Sequence, residues 1–331
     1  PIVTMMHFTS PKWLIENGGW ENEATVEAFK NYCQYVTEQL GDLMHYVCTI
    51  NEANMGIQVA AISARYRAQM MAKMQRMQQG GAEEKKDLEG TAQVGMNFND
   101  MMANMQKQKE ENVEIFGTDT LQTFVSARTP EGDMLVIRAH QAARAAMKAV
   151  KPELQIGLTL SLHDIQAQEG GEETAAKEWV DEFTHYVPYI KEDDFFGLQN
   201  YSRSLIGPNG ILPVPEGAEI TQMDYEYYPE GLEHVIRRVY EEMPMPIMVT
   251  ENGIATADDT RRVAYIQTAM KGVENCIQDG IPVKGYMYWS MMDNFEWQKG
   301  FGMTFGLISV DRTTQTRTAK PSLTVLGNYT K

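Results

Sequence analysis

Two strand-like runs in this chain end on a glutamate. Tyr46-Val47-Cys48-Thr49-Ile50-Asn51 leads into Glu52, and Ile247-Met248-Val249-Thr250 leads into Glu251-Asn252-Gly253. A carboxylate placed directly after an apolar, β-branched run is costly to bury without a partner. A barrel of parallel strands resolves the conflict, because residues at the C-terminal strand ends open into a shared site. Each glutamate also has a plainer explanation. Asn252-Gly253 is a turn signal, so Glu251 could cap a helix or a surface turn, and Asn51-Glu52 could be a strand-end turn.

The rest of the chain alternates strand and helix patterns, which favours a parallel α/β sheet. Strands are expected at Ile2–Met6, Tyr46–Asn51, Gln155–Leu162, Phe195–Gln199, Ile247–Thr250 and Val283–Trp289. Helices are expected from Val26 to Leu40, around His140–Val150 and Ala175–Val187, over Gly231–Glu242 and over Thr260–Gln278. Gly41 sits where a helix C-cap belongs. Six strands are two short of a closed (β/α)8 TIM barrel. Pro1–Met6 already reads as a buried strand, so the chain is expected to begin inside a fold, without a leader.

Residues 55–115 break the pattern. Met70, Met71, Met74 and Met77, then Met101, Met102 and Met105, recur at helical spacing around Gly80-Gly81 and the charged run Glu83–Lys86. The segment reads as two amphipathic surface helices joined by a loop. It would be a Met-rich helical insertion within a single, partial barrel domain covering 1–331. A soft wall on the leaving-group side of a site and a partner-binding helix pair are the functional alternatives.

The formal net charge of −16, from 45 acidic and 29 basic residues, argues against a nucleic-acid partner. No apolar run is long enough to cross a membrane. Cys33, Cys48 and Cys276 form no metal-ligand cluster and read as reduced, buried thiols, which suits a cytoplasmic protein. His45, His140, His185 and His234 show no ligand pattern, whereas His163-Asp164 could face a pocket.

The C-terminal stretch separates the two readings of the glutamates. Trp289-Ser290-Met291-Met292-Asp293-Asn294-Phe295-Glu296-Trp297 gathers aromatic and acidic residues just past a strand. Aromatic faces against sugar rings, with carboxylates accepting from hydroxyls, are the physical means of holding a pyranose. Two facing carboxylates are what glycosidic cleavage requires.

These segments closely resemble glycoside hydrolase family 1, the retaining β-glucosidase family. Thr49-Ile50-Asn51-Glu52 resembles its acid/base motif, Val249–Gly253 its nucleophile motif, and Trp289–Trp297 its glycone-binding run. Phe305-Gly306-Leu307 and Arg317–Ser322 continue the match. The resemblance implies that Glu251 is the nucleophile and Glu52 the acid/base. It also implies that His7, Asn51, Gln199, Tyr201, Trp289, Glu296 and Trp297 hold or orient a β-glucoside or small oligosaccharide, with no metal or organic cofactor. A carboxylate at Glu296 would repel a 6-phosphate.

Three positions depart from the family pattern, namely Phe8, Ala53 and Gln199. The family's first two β/α units have no counterpart here, and with them go a sugar-binding glutamine and an arginine that pairs with the nucleophile. Open barrel edges would invite self-association. The alternative function that follows is a split or truncated family member, silent alone, acting as a sugar-binding or assembly module.

Overall fold

The structure is a computed structural model and describes residues 1–64, 67, 71, 98–297 and 299–330. Short aliphatic runs separated by amphipathic helices place the strands side by side. Among the described residues the chain forms two units: Pro1–Met5 with Leu40–Glu52 and Lys151–Lys331, and Met6–Gln39 with Ala53–Val150.

The first unit carries the parallel strands. β1 (Ile2–Met6) neighbours β2 (Tyr46–Ile50), which pairs in parallel with β3 (Gln155–Gly157). β4 (Thr159–Ser161) continues the same run and pairs with β6 (Phe196–Gln199), followed by β9 (Ile247–Asn252) and β10 (Val283–Tyr288), all parallel. The expected strand Gln155–Leu162 is therefore two strands broken at Leu158. Leu158 still turns its side chain fully into the core. β9 pairs Val249 with Leu198 but Glu251 with Gln199, so Thr250 is an extra, bulged residue. The same offset appears against β10, where Val249 faces Tyr286 and Asn252 faces Tyr288.

The sequence pattern hid two smaller sheets. β5 (Asp164–Ala167) pairs in parallel with β7 (Arg203–Gly207), which turns back on β8 (Gly210–Ile211). β11 (Ile308–Val310) and β12 (Arg317–Ala319) form an antiparallel ribbon. The amphipathic helix Asp259–Gln278 buries Tyr265, Ile266, Ala269, Val273 and Cys276, and Asp258 caps it by accepting from Thr260 N–H at 2.9 Å. Arg262 on this helix is fully buried and donates to the carbonyls of Thr256 and Thr304, each at 2.5 Å.

The second unit is helical. Ala24–Leu40, which runs on into the first unit at its last residue, buries Thr25, Phe29, Cys33 and Thr37, a narrower stripe than expected, and leaves Tyr32 and Leu40 exposed. Gly41 does not adopt a left-handed cap and instead opens a 3-10 turn in the first unit. Helix Pro130–Val150 starts ten residues earlier than expected. Glu21 accepts from Thr129 N–H at 2.7 Å and from its hydroxyl at 2.6 Å, which ties down the start of that helix. Trp20 packs edge-on against Phe29 and Phe124. Arg128 lies over the Phe124 ring and donates to Ala53 O at 2.5 Å.

Within the Met-rich region, residues 55–64 and Phe98–Phe116 are helical, and Met71 is exposed. Met70, Met74, Met77, Gly80-Gly81 and Glu83–Lys86 lie outside the described residues. β1 is less buried than its composition predicts, with only Met5 and Met6 inside. All three cysteines are buried and unpaired. Among the described residues no helix is long and apolar enough to cross a membrane.

Candidate active site

Parallel strands deliver their C-terminal ends to one side. Glu52 follows β2, Gln199 ends β6, Glu251 and Asn252 end β9, and Trp289 follows β10. Asn51, Glu52, Gln199, Tyr201, Trp289, Glu296 and Trp297 all belong to the first unit. His7 belongs to the second. It directly follows β1, its ring meets Phe8 edge-on at 5.0 Å, and burial depresses its pKa, favouring a neutral imidazole.

Glu52 and Glu251 are both buried, at 7% and 8% exposure, and their surroundings differ. Glu251 Oε2 accepts from the Tyr201 hydroxyl at 2.6 Å, and the side chains of Asn51 and Gln199 also favour its charged form. Among the described residues it forms no ion pair, and desolvation pushes its pKa up to about 7 against those donors. Glu52 is desolvated and feels the negative charges of Glu251 and Glu296, against a hydrogen bond from the Ser161 side chain that favours ionisation. Its pKa is raised well above the ordinary value for those reasons. The pair is therefore built to hold one proton, and Glu52 is the better place for it.

The backbone supports the same division. Glu52 sits at φ 44°, a left-handed conformation that non-glycine residues seldom adopt. Its N–H donates to Thr159 Oγ1 at 2.9 Å, while the Thr159 hydroxyl reaches Ile50 O and Asn51 Oδ1 at 3.3 and 3.4 Å. Asn51 Oδ1 also accepts from Gln199 Nε2 at 2.8 Å. Gln199 is completely buried, and its Oε1 has no hydrogen-bond partner among the described residues. Thr159 and Ser161 went unrecognised in the sequence because hydroxyls inside a strand carry no motif.

The turn after Glu251 explains its glycine. A Cβ on Gly253 would stand 2.1 Å from Trp289 O, so only glycine allows the chains after β9 and β10 to approach this closely. Trp289 N–H donates to Asn252 O at 2.9 Å, and the Trp289–Ser290 peptide is cis. Glu296 heads a tight turn in which its carbonyl accepts from Gly300 N–H at 2.6 Å. Half-burial raises its pKa, against a backbone hydrogen bond from Trp297. Trp297 and Phe295 are exposed, at 40% and 54%. Asp293 anchors this stretch from below, paired with Lys320 Nζ at 3.0 Å and accepting from Gly306 N–H at 2.8 Å.

His163 and Asp164 are engaged elsewhere. His163 Nδ1 pairs with Glu182 at 2.8 Å, and Asp164 meets His234 Nδ1 at 2.7 Å. Among the described residues no group of histidine, cysteine and acidic side chains could hold a metal ion.

The family model described as Glycosyl hydrolase family 1 matches residues 1–80 and 192–329. A 1,4-β-D-glucan glucohydrolase of Thermotoga neapolitana is 26% identical over 97% of this chain and 71% of its own length. A crystal structure of a β-glycosidase is 41% identical, with TM-score 0.81 over 99% of this chain and 72% of that one. An apo β-glucosidase structure is 35% identical, with TM-score 0.82 over 99% of this chain and 73% of that one.

Proposed function

The chain belongs to glycosyl hydrolase family 1, whose members are retaining glycosidases, and we propose that it cleaves terminal β-D-glucosyl residues through Glu251 and Glu52. The observation that carries this reading is the unequal treatment of the two buried carboxyls. Donors from Tyr201, Asn51 and Gln199 favour a charged Glu251, whereas two neighbouring negative charges oppose one on Glu52.

In the first step Glu251 attacks the anomeric carbon as the bond to the leaving oxygen breaks, and Glu52 gives that oxygen its proton. A glycosyl ester forms on Glu251. In the second step Glu52 takes a proton from water, the water oxygen attacks the same carbon, and the Glu251 carboxylate leaves. Two inversions retain the configuration. Gln199 and Tyr201 orient these groups.

Asn51 would bond the 2-hydroxyl and Glu296 the 4- and 6-hydroxyls. Trp289 would stack on the ring, with Trp297 beside it. The carboxylate of Glu296 disfavours a 6-phosphate, so the substrate is an unphosphorylated glycoside. The relatives' names, a glucan glucohydrolase and a β-glucosidase, point the same way. β1 and β10 end the row of parallel strands, and self-association through them would be read by light scattering.

The deciding measurement is the initial rate on an aryl β-D-glucoside, with Glu251→Ala as the blank. A loss of more than about a thousandfold is expected. A variant within tenfold of the parent would overturn the assignment. Azide added to Glu251→Gly should yield a glycosyl azide of inverted configuration.

A further inference from the structure

Asn252 follows Glu251 directly, and every polar atom of its side chain is engaged. Nδ2 donates to Asn200 O at 2.6 Å and to the Tyr265 hydroxyl at 3.0 Å, while Oδ1 accepts from the Tyr286 hydroxyl at 2.8 Å. The Tyr265 hydroxyl, having accepted from Asn252, donates to Tyr201 O at 3.1 Å. Tyr201 in turn donates its own hydroxyl to Glu251. One phenol on the helix Asp259–Gln278 thus links the residue after Glu251 to the backbone of the residue that bonds Glu251. Tyr265 is 1% exposed, so these bonds lie away from bulk solvent.

The geometry points to Tyr265 as a positioning residue for the nucleophile: its hydroxyl clamps Asn252 to the Tyr201 backbone and so fixes the Tyr201–Glu251 hydrogen bond. This rests on the reading of Glu251 as nucleophile. A buried tyrosine kept for packing alone would need only its ring. Here the hydroxyl has both a donor partner, on the last residue of β9, and an acceptor partner, just after β6. Removing it leaves Asn252 Nδ2 and Tyr201 O each short of a partner in a dry interior, and the Tyr201 backbone is then free to shift.

The test uses Tyr265→Phe, which keeps the ring. Tyr227→Phe is the control: the Tyr227 ring packs edge-on against Tyr265 at 5.7 Å, but its hydroxyl bonds Arg261 O, off the path. The full chain is treated with 2,4-dinitrophenyl 2-deoxy-2-fluoro-β-D-glucoside. Formation of the glycosyl ester is followed by intact mass and located by peptide mapping, across pH. Glu52, Glu296, Tyr201 and Cys48 are titratable groups that interact with Glu251, and all remain in both variants.

Tyr265→Phe should label Glu251 at least tenfold more slowly. The acid limb of its rate profile should move to higher pH, since a loosened Tyr201 bond stabilises the carboxylate less. Tyr227→Phe should label like the parent. Equal rates and an unshifted limb in a folded Tyr265→Phe would overturn the inference. If Tyr265→Phe fails to fold, Tyr286→Phe decides, because it frees the opposite edge of Asn252 and should show the same slowing and shift. Absence of any label on Glu251 in the parent would instead sink the nucleophile assignment, and this inference with it.

Discussion

Gln199 and Glu251 stand opposite each other across β6 and β9 only because Thr250 is an extra residue in β9. Alternation along a strand would otherwise send the Glu251 side chain to the face opposite its present one. The bulge re-aims it, which is a recurrent use of such irregularities beside reactive groups. The consequences of that placement can be measured.

The raised pKa of Glu251 makes the carboxyl a liability for the fold near neutrality. A group whose folded pKa exceeds its unfolded value stabilises below the unfolded value, and that benefit is lost as pH rises through the folded one. For Glu251 the window runs from the ordinary carboxylate value of 4.5 to about 7. Glu251→Gln should therefore gain stability over the parent as pH rises through this window, by about 1–3 kcal/mol at pH 8. Chemical denaturation at pH 5 and pH 8 reads the difference, and a gap that shrinks at high pH would refute it.

Glu52→Gln removes the proton donor and leaves the attacking carboxylate. Glycosides with alkoxide-like leaving groups should slow by about 10²–10⁴-fold. Dinitrophenyl glycosides, whose leaving group needs no proton, should slow far less in the first step. A uniform loss across leaving groups would remove Glu52 from the acid role.

Glu296 raises the pKa of both Glu52 and Glu251 through its negative charge. Neutralising it in Glu296→Gln should lower both, so the acid and base limbs of kcat/KM move together toward lower pH, while KM rises as hydroxyl contacts weaken. Limbs moving in opposite directions would show that Glu296 acts by shape rather than by charge.

Lys320 and Asp293 are only 16% and 12% exposed in their side chains, and Lys320 Nζ also donates to Gly306 O at 2.7 Å. Lys320→Met leaves Asp293 without its cation in a poorly solvated place. A loss of about 2–4 kcal/mol in stability is expected, together with a higher KM for the glucoside. An unchanged melting curve would mean that the pair is solvated.

How far the sequence anticipates this molecule depends on what each feature signals. The six principal strands are legible because their aliphatic runs are short and bounded by turns, and β1, β2, β6 and β9 start or end within a residue or two of expectation. β5 and β7 were invisible because Asp164-Ile165-Gln166-Ala167 and Arg203-Ser204-Leu205 carry polar side chains that satisfy one another, through Asp164, Gln166, Arg203 and Glu226. The early start of helix Pro130–Val150 depends on Glu21, more than a hundred residues away, accepting from Thr129. Glu52 and Glu251 were legible as motifs. The bulge at Thr250, the hydroxyls of Thr159 and Ser161 and the Tyr265 clamp were not, because each exists only between strands or between strand and helix. Asp293, read beside Glu296 as part of a sugar-binding run, is an anchor for that run instead.

The Lys320–Asp293 pair also matters for anyone who handles the protein. The loop carrying Glu296 is fastened by a residue near the far end of the chain, and Ser322 just beyond it is bound to Asp259 at the start of the long helix. Affinity tags, fusions and immobilisation chemistry at the C-terminus pull on that fastening. A weak sugar response from a C-terminally tethered sample would reflect the tether before it reflected the site.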